Sequence, residues 1–183
     1  MKKTANRRVL VTAFILLLLA ILLLPFPTRT QARFQAINPS TQEQLTAELT
    51  YWDYRYLIRA DRMKGSIELS SSDDGQRVFH AGIDTPFYSL AADTENEEVL
   101  HTIAISEDVL ETHSGAIKPG LAAYDLYLTE DRSGLMLRPA TSEAESEAMI
   151  VGLSTETQPA INTLDTLAAY FHDYLEATGR HSP

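Results

Sequence analysis

The chain contains no cysteine. That excludes disulfides, thiol nucleophiles and thiolate-ligated metal, and it closes the route by which lipid is attached to a cysteine. Glycine is sparse, with eight in 183 residues. Neither a Walker loop nor a G-x-G-x-x-G fingerprint is present, so nothing marks a nucleotide site. There is no G-x-S-x-G elbow and no S-x-x-K, which removes the readable serine nucleophiles. Asn-x-Ser/Thr occurs only as Asn38-Pro39-Ser40, where the proline blocks glycosylation. A domain without disulfides must be held together by its hydrophobic core, and about 130 folded residues can supply one. Taken together, these absences favour a bacterial envelope setting.

Metal-binding patterns are also missing. His80, His101, His113, His172 and His181 are widely separated, with no H-x-H or H-x-x-x-H spacing. The acidic run Asp93, Glu95, Glu97, Glu98 resembles a calcium loop in charge alone. It lacks the glycine that the sharp turn needs, and Ala104 occupies the place of the twelfth-position glutamate. No metal and no cofactor are expected.

Positive charge is scarce beyond the first 33 residues. Six of the fifteen Lys/Arg precede Phe34 and no acid does. Residues 34–183 therefore carry nine Lys/Arg against twenty-five Asp/Glu, a net charge of −16. A domain of that charge repels nucleic-acid phosphates and anionic lipid headgroups, so no nucleic-acid partner is expected. The acidity also keeps an exported domain soluble.

Against these absences stands one long apolar run, VLVTAFILLLLAILLLPF, from Val9 to Phe26. Lys2, Lys3, Arg7 and Arg8 precede it, and Pro25 and Pro27 close it. As a helix rising ~1.5 Å per residue it spans roughly 27 Å, enough for a bilayer core. The run is at or beyond the length of a cleavable signal. Thr30-Gln31-Ala32 makes a poor cleavage site, with Arg29 just before it. An uncleaved signal anchor is therefore expected, with secretion following if cleavage near Ala32 does occur. The basic start places residues 1–8 in the cytoplasm and the remainder outside. The run holds no ionisable residue, which argues against a proton relay or voltage sensor.

Residues 27–44 are polar and punctuated by Pro27 and Pro39, and read as a flexible tether. Short strands with hairpin spacing follow over residues 45–179. In LTAELTYWDYRYLIR, Trp52, Tyr54, Tyr56 and Ile58 alternate and are expected to face the core, leaving Tyr51 outward. Asp61 to Gly65 reads as a turn, and Asp73-Asp74-Gly75 as a hairpin. Further strands are expected over 66–70, 77–83, 99–105, 121–129, 135–138 and 149–153, with a short edge piece at 86–90 after Pro86. From Pro159 the residues Ile161, Leu164, Leu167, Ala168, Phe171, Tyr174 and Leu175 share an arc of roughly 140°. Pro159 suits the first turn of this helix and Gly179 its C-terminal cap. The expected fold class is α+β, mainly antiparallel β, as a curved meander sheet or small barrel. One C-terminal amphipathic helix covers its open face, and an N-terminal transmembrane helix precedes it.

Chemistry-bearing residues are few. The aromatic cluster offers Tyr51 and Trp52 as a weak ligand surface, since aromatic rings stack on sugars and line apolar pockets. His101 lies in phase with Val99 and Ile103 and is expected to be a satisfied core histidine, with a ligand role as the alternative. The chain reads as a membrane-anchored extracytoplasmic binding or accessory module. Its partners are membrane lipid through residues 9–26 and another membrane or envelope protein. An envelope glycan hydrolase and a structural spacer are the alternatives.

Overall fold

The structure is a computed structural model. It describes residues 11–19, 23–38, 41–55, 62–86, 88–91, 98–107, 121–140, 150–156, 161 and 163–177. Residues 11–19 form a helix, α1. Nine strands follow. They are β1 (Phe26–Ile37), β2 (Gln44–Arg55), β3 (Arg62–Ser71), β4 (Arg77–Pro86), β5 (Tyr88–Ala91), β6 (Glu98–Ser106), β7 (Ala122–Thr129), β8 (Gly134–Pro139) and β9 (Ile150–Ser154). Helix α2 (Leu164–Ala177) ends the described chain.

Every neighbouring pair is antiparallel, and β1 pairs with both β2 and β9. β4 meets β6 at Gly82↔Ile105 and Ile83↔Ala104, which closes the sheet. β5 joins the same β6 further along, at Tyr88↔His101. β4 and β5 thus act as one strand interrupted after Pro86, and the result is an eight-stranded, up-and-down closed barrel. Closure leaves no long free edge for a second chain to pair with. The mainly antiparallel β expectation holds, in its barrel form.

Eight strands enclose a space just wide enough for side chains. Here Phe34, Leu49, Tyr51, Met63, Ile67, Leu69, Phe79, Tyr124, Leu126 and Leu137 fill it. Phe79 meets Tyr124 edge to face, with centroids 4.9 Å apart. A second apolar layer lies outside the wall. Val99, Tyr127, Met136 and Val151 point outward there and are covered by Leu167, Phe171, Tyr174 and Leu175 of α2. The helix therefore packs on the outside of a closed wall, where an open sheet face was expected. Thr163 caps it by accepting from the Thr166 amide at 3.2 Å. Pro159 and Gly179, the expected helix boundaries, lie outside the described residues.

Three sequence expectations are corrected. Residues 27–37, read as tether, are most of β1. They look polar because Arg29, Gln31, Arg33 and Gln35 face solvent while small Ala32 and Ala36 flank Phe34 inside. The β2 phase is inverted. Leu45, Ala47, Leu49, Tyr51 and Asp53 are buried, while Trp52 is 42 % exposed. A crowded interior selects the smaller alternating set, and the bulky Trp52 is left outside. Gly65 belongs to β3 and not to a turn, paired with Tyr51. Tyr56 and Ile58 lie outside the described residues. Among those residues no helix is long and apolar enough to cross a membrane, and residues 1–10 and 20–22 of the apolar run and its flank lie outside the description.

Candidate functional site

The strand register fixes what stands beside what on the outer wall. The end of the barrel where β1 begins carries one cross-strand row of Pro27, Tyr54 and Arg62. Two residues further along, Arg29, Trp52, Lys64 and Asp84 form the next row. A third runs Gln31, Thr50, Ser66, Gly82, Ile105. Gly82 carries no side chain, so the wall is hollow between the aromatic residues and Ile105. The hollow is a groove of ≈ 660 Å³ lined by Trp52, Tyr54, Lys64, Gly65, Gly82, Ile83, Asp84 and Ile105. Asp84 is held by Arg62 at 2.6 Å and by Lys64 at 3.8 Å. A fourth row, Arg33, Glu48, Glu68 and His80, lies beyond the groove and brings in acidic residues. A smaller hollow of ≈ 250 Å³ lies between α2 and the wall, lined by Ile37, Gln42, Val151, Leu164, Asp165 and Ala168.

The interior at the groove end is closed by ion pairs. Asp53 is buried, and its Oδ2 accepts from Arg55 Nε at 3.1 Å and from Arg132 Nη2 at 3.3 Å. Arg132 sits in the β7–β8 turn with φ 59°. The turn is held by the Asp131 carboxylate, which accepts from Thr129 Oγ1 and from the amide and hydroxyl of Ser133. Arg132 also lies 5.5 Å above the Tyr51 ring. Burial pushes the Tyr51 phenol above its usual pKa, with the Arg132 charge opposing that shift. This is a plug for the barrel mouth and not a way in.

His101 lies elsewhere, on the outer wall towards α2. It is stacked on Tyr127 with centroids 4.6 Å apart, and its Nε2 is 2.8 Å from Asp125 Oδ1. Arg138 approaches the same carboxylate at 3.5 Å and lies 5.7 Å from the Tyr127 ring. Tyr174 of α2 meets Tyr127 edge-on. The histidine is hydrogen-bonded and largely buried.

The structure therefore does not bring Tyr51, Trp52 and His101 together. Tyr51 is inside the barrel, Trp52 is on the groove and His101 is in a separate cluster. Sequence reasoning missed Lys64, Asp84, Ile105 and the Asp53–Arg132 plug. One signal was available for the groove. Arg55, Arg59, Arg62 and Lys64 are four of the nine cations after residue 33, packed into ten positions. Nothing in the sequence announces the pairing of Asp53 with Arg132, 79 residues away.

Comparison with protein-family models, curated proteins and solved structures returns no match. Among the described residues no cluster of three His, Asp or Glu suits a metal ion. The groove offers aromatic faces, a lysine and an ion-paired carboxylate, a set suited to binding.

Proposed function

We propose that the chain is a membrane-anchored extracytoplasmic binding module. Residues 9–24 hold the barrel at the outer surface of a bacterial cell membrane, and the Trp52 groove is its binding surface. One observation carries the reading. Every described residue of α1 is exposed, with Phe14 at 63 % and Leu16 at 61 %. A helix apolar on all sides needs an apolar surrounding. The barrel has already filled its interior and covered part of its outer wall with α2, and it gives α1 no cover. A bilayer provides what the barrel does not. The basic start of the chain orients such a helix with residues 1–8 in the cytoplasm.

The groove is the better binding surface because the barrel lumen is full and its mouth is plugged. Asp84 is the groove's one carboxylate among the described residues and is tied to Arg62 and Lys64. That favours recognition over acid–base work. Flotation of the full chain with phospholipid vesicles tests the anchoring. The chain is expected to rise with the vesicles and to resist extraction at alkaline pH. Replacing Leu16 and Leu18 by Arg costs about 3 kcal/mol at each mid-span position and should leave the protein in the dense fraction. An unaltered chain that stays in the dense fraction contradicts the proposal.

A further inference from the structure

The joint between the apolar run and the barrel is very short. The run ends at Leu24 and Phe26 is already strand, so only Pro25 separates them. The two steps from Leu24 to Phe26 reach at most about 7 Å. Given the anchoring proposed above, on which this inference rests, the barrel cannot stand away from the bilayer. Its groove end is pressed against the lipid surface.

That end has suitable chemistry. A strand rises about 3.3 Å per residue, so the Arg29–Trp52–Lys64 row lies about 10 Å along β1 from Phe26. Barrel strands tilt by about 40°, which lowers its height to roughly 7–8 Å. The interfacial layer on each side of a bilayer is about 5–7 Å thick, and side chains reach several ångströms further. The first two rows thus meet the headgroups, and the acidic fourth row stands above them. Trp and Tyr are the residues that settle at this depth, with the ring in the acyl boundary and the polar tip in water. Lysine and arginine there meet lipid phosphates. The domain as a whole is strongly acidic, but charges more than about 10 Å away are screened. Around the groove, Arg29, Arg62 and Lys64 face one carboxylate, Asp84, which is already paired. Asp53 inside the mouth is held by Arg55 and Arg132, and Glu130 and Asp131 flank Arg132 on the β7–β8 turn.

We propose that the occupant of the Trp52 groove is the anionic headgroup layer of the membrane that holds α1. Trp52 and Tyr54 enter the acyl boundary, while Arg29, Arg62 and Lys64 engage phosphates. The contact fixes the tilt of the barrel and turns the α2 side and the Ser72–Asp74 turn outward. Repulsion by the bulk of the domain is directed away from the lipid.

Trp52 is the chain's one tryptophan, so its fluorescence reports this surface alone. The full chain is reconstituted into vesicles of phosphatidylcholine, with and without phosphatidylglycerol, that carry bromine near the top of the acyl chains. Emission is expected to shift to the blue and to be quenched, more strongly when phosphatidylglycerol is present. The double variant Arg29→Gln, Lys64→Gln should lower the docked-to-undocked ratio by roughly fivefold per charge removed. These surface positions tolerate the change, and an unaltered melting temperature confirms it. If the unaltered chain floats with the vesicles but Trp52 keeps water-exposed, unquenched emission, the docking is overturned and the anchoring stands. If the chain does not float, the anchoring fails and the docking fails with it.

Discussion

At the scale of single residues, Gly65 shows most sharply what the barrel demands. A Cβ built there lies 2.1 Å from the Thr50 carbonyl oxygen and 2.5 Å from the Tyr51 Cα. Both are backbone atoms and cannot step aside, so β2 crosses β3 at a distance only glycine permits. At Gly82 the nearest atom to such a Cβ is the Ile105 carbonyl oxygen, at 3.9 Å. Gly65→Ala is expected to cost more than about 2 kcal/mol, and Gly82→Ala to stay within about 0.5 kcal/mol. Urea unfolding of the two variants checks the contrast, and equal costs would contradict it. The residue scale is also where the sequence misled. Aromatic alternation at Trp52, Tyr54 and Tyr56 looked like a core face. The competing set Leu45, Ala47, Leu49, Tyr51 is less bulky and is the one inside. Periodicity alone gives two faces and does not say which is buried. The available volume decides, and eight strands leave little. The same limit explains why β6 turns Leu100, Thr102 and Ala104 inward and leaves Ile103 and Ile105 exposed.

At the scale of elements, most of the β pattern was legible. Ile67 with Leu69, Phe79 with Ala81 and Ile83, and Tyr124 with Leu126 and Leu128 all face the interior as their alternation requires. The α2 stripe was legible too, since Leu167, Phe171, Tyr174 and Leu175 are its buried residues. What was not legible is what the stripe packs on. Its target is assembled from outward residues of four strands, Val99, Tyr127, Met136 and Val151. Each looks like an ordinary strand position until the barrel closes. β1 escaped notice for a related reason, because its inward set is small apart from Phe34 and its outward set is polar. Since α2 covers the outer apolar layer, Phe171→Ala should lose about 3–5 kcal/mol through the cavity it leaves. A loss below about 1 kcal/mol in denaturant unfolding would show that the helix is not part of the cooperative unit.

At the scale of the whole molecule, the chain combines a filled barrel with one apolar helix that the barrel does not cover. The outer wall beside the groove is basic, with Arg29, Arg62 and Lys64, while Glu43, Asp73 and Asp74 lie at the far end and Glu130 and Asp131 on the β7–β8 turn. The sequence showed this division as a jump at residue 34 and placed the boundary a little early. The cations of the β2–β3 region stand beside Arg29 on the outer wall. Only the strand register, which sets Arg29 beside Trp52 and Trp52 beside Lys64, reveals that. The central claim is that the barrel stands outside the membrane with its groove end towards the lipid. The absence of native cysteine allows a direct test. Ser72 is exposed at the far end of the barrel, and Ser72→Cys gives the full chain a single thiol. A membrane-impermeant maleimide applied to intact spheroplasts should label it fully, with no gain when the membrane is opened by detergent. Labelling that appears only after detergent would put the barrel on the cytoplasmic side and contradict the account.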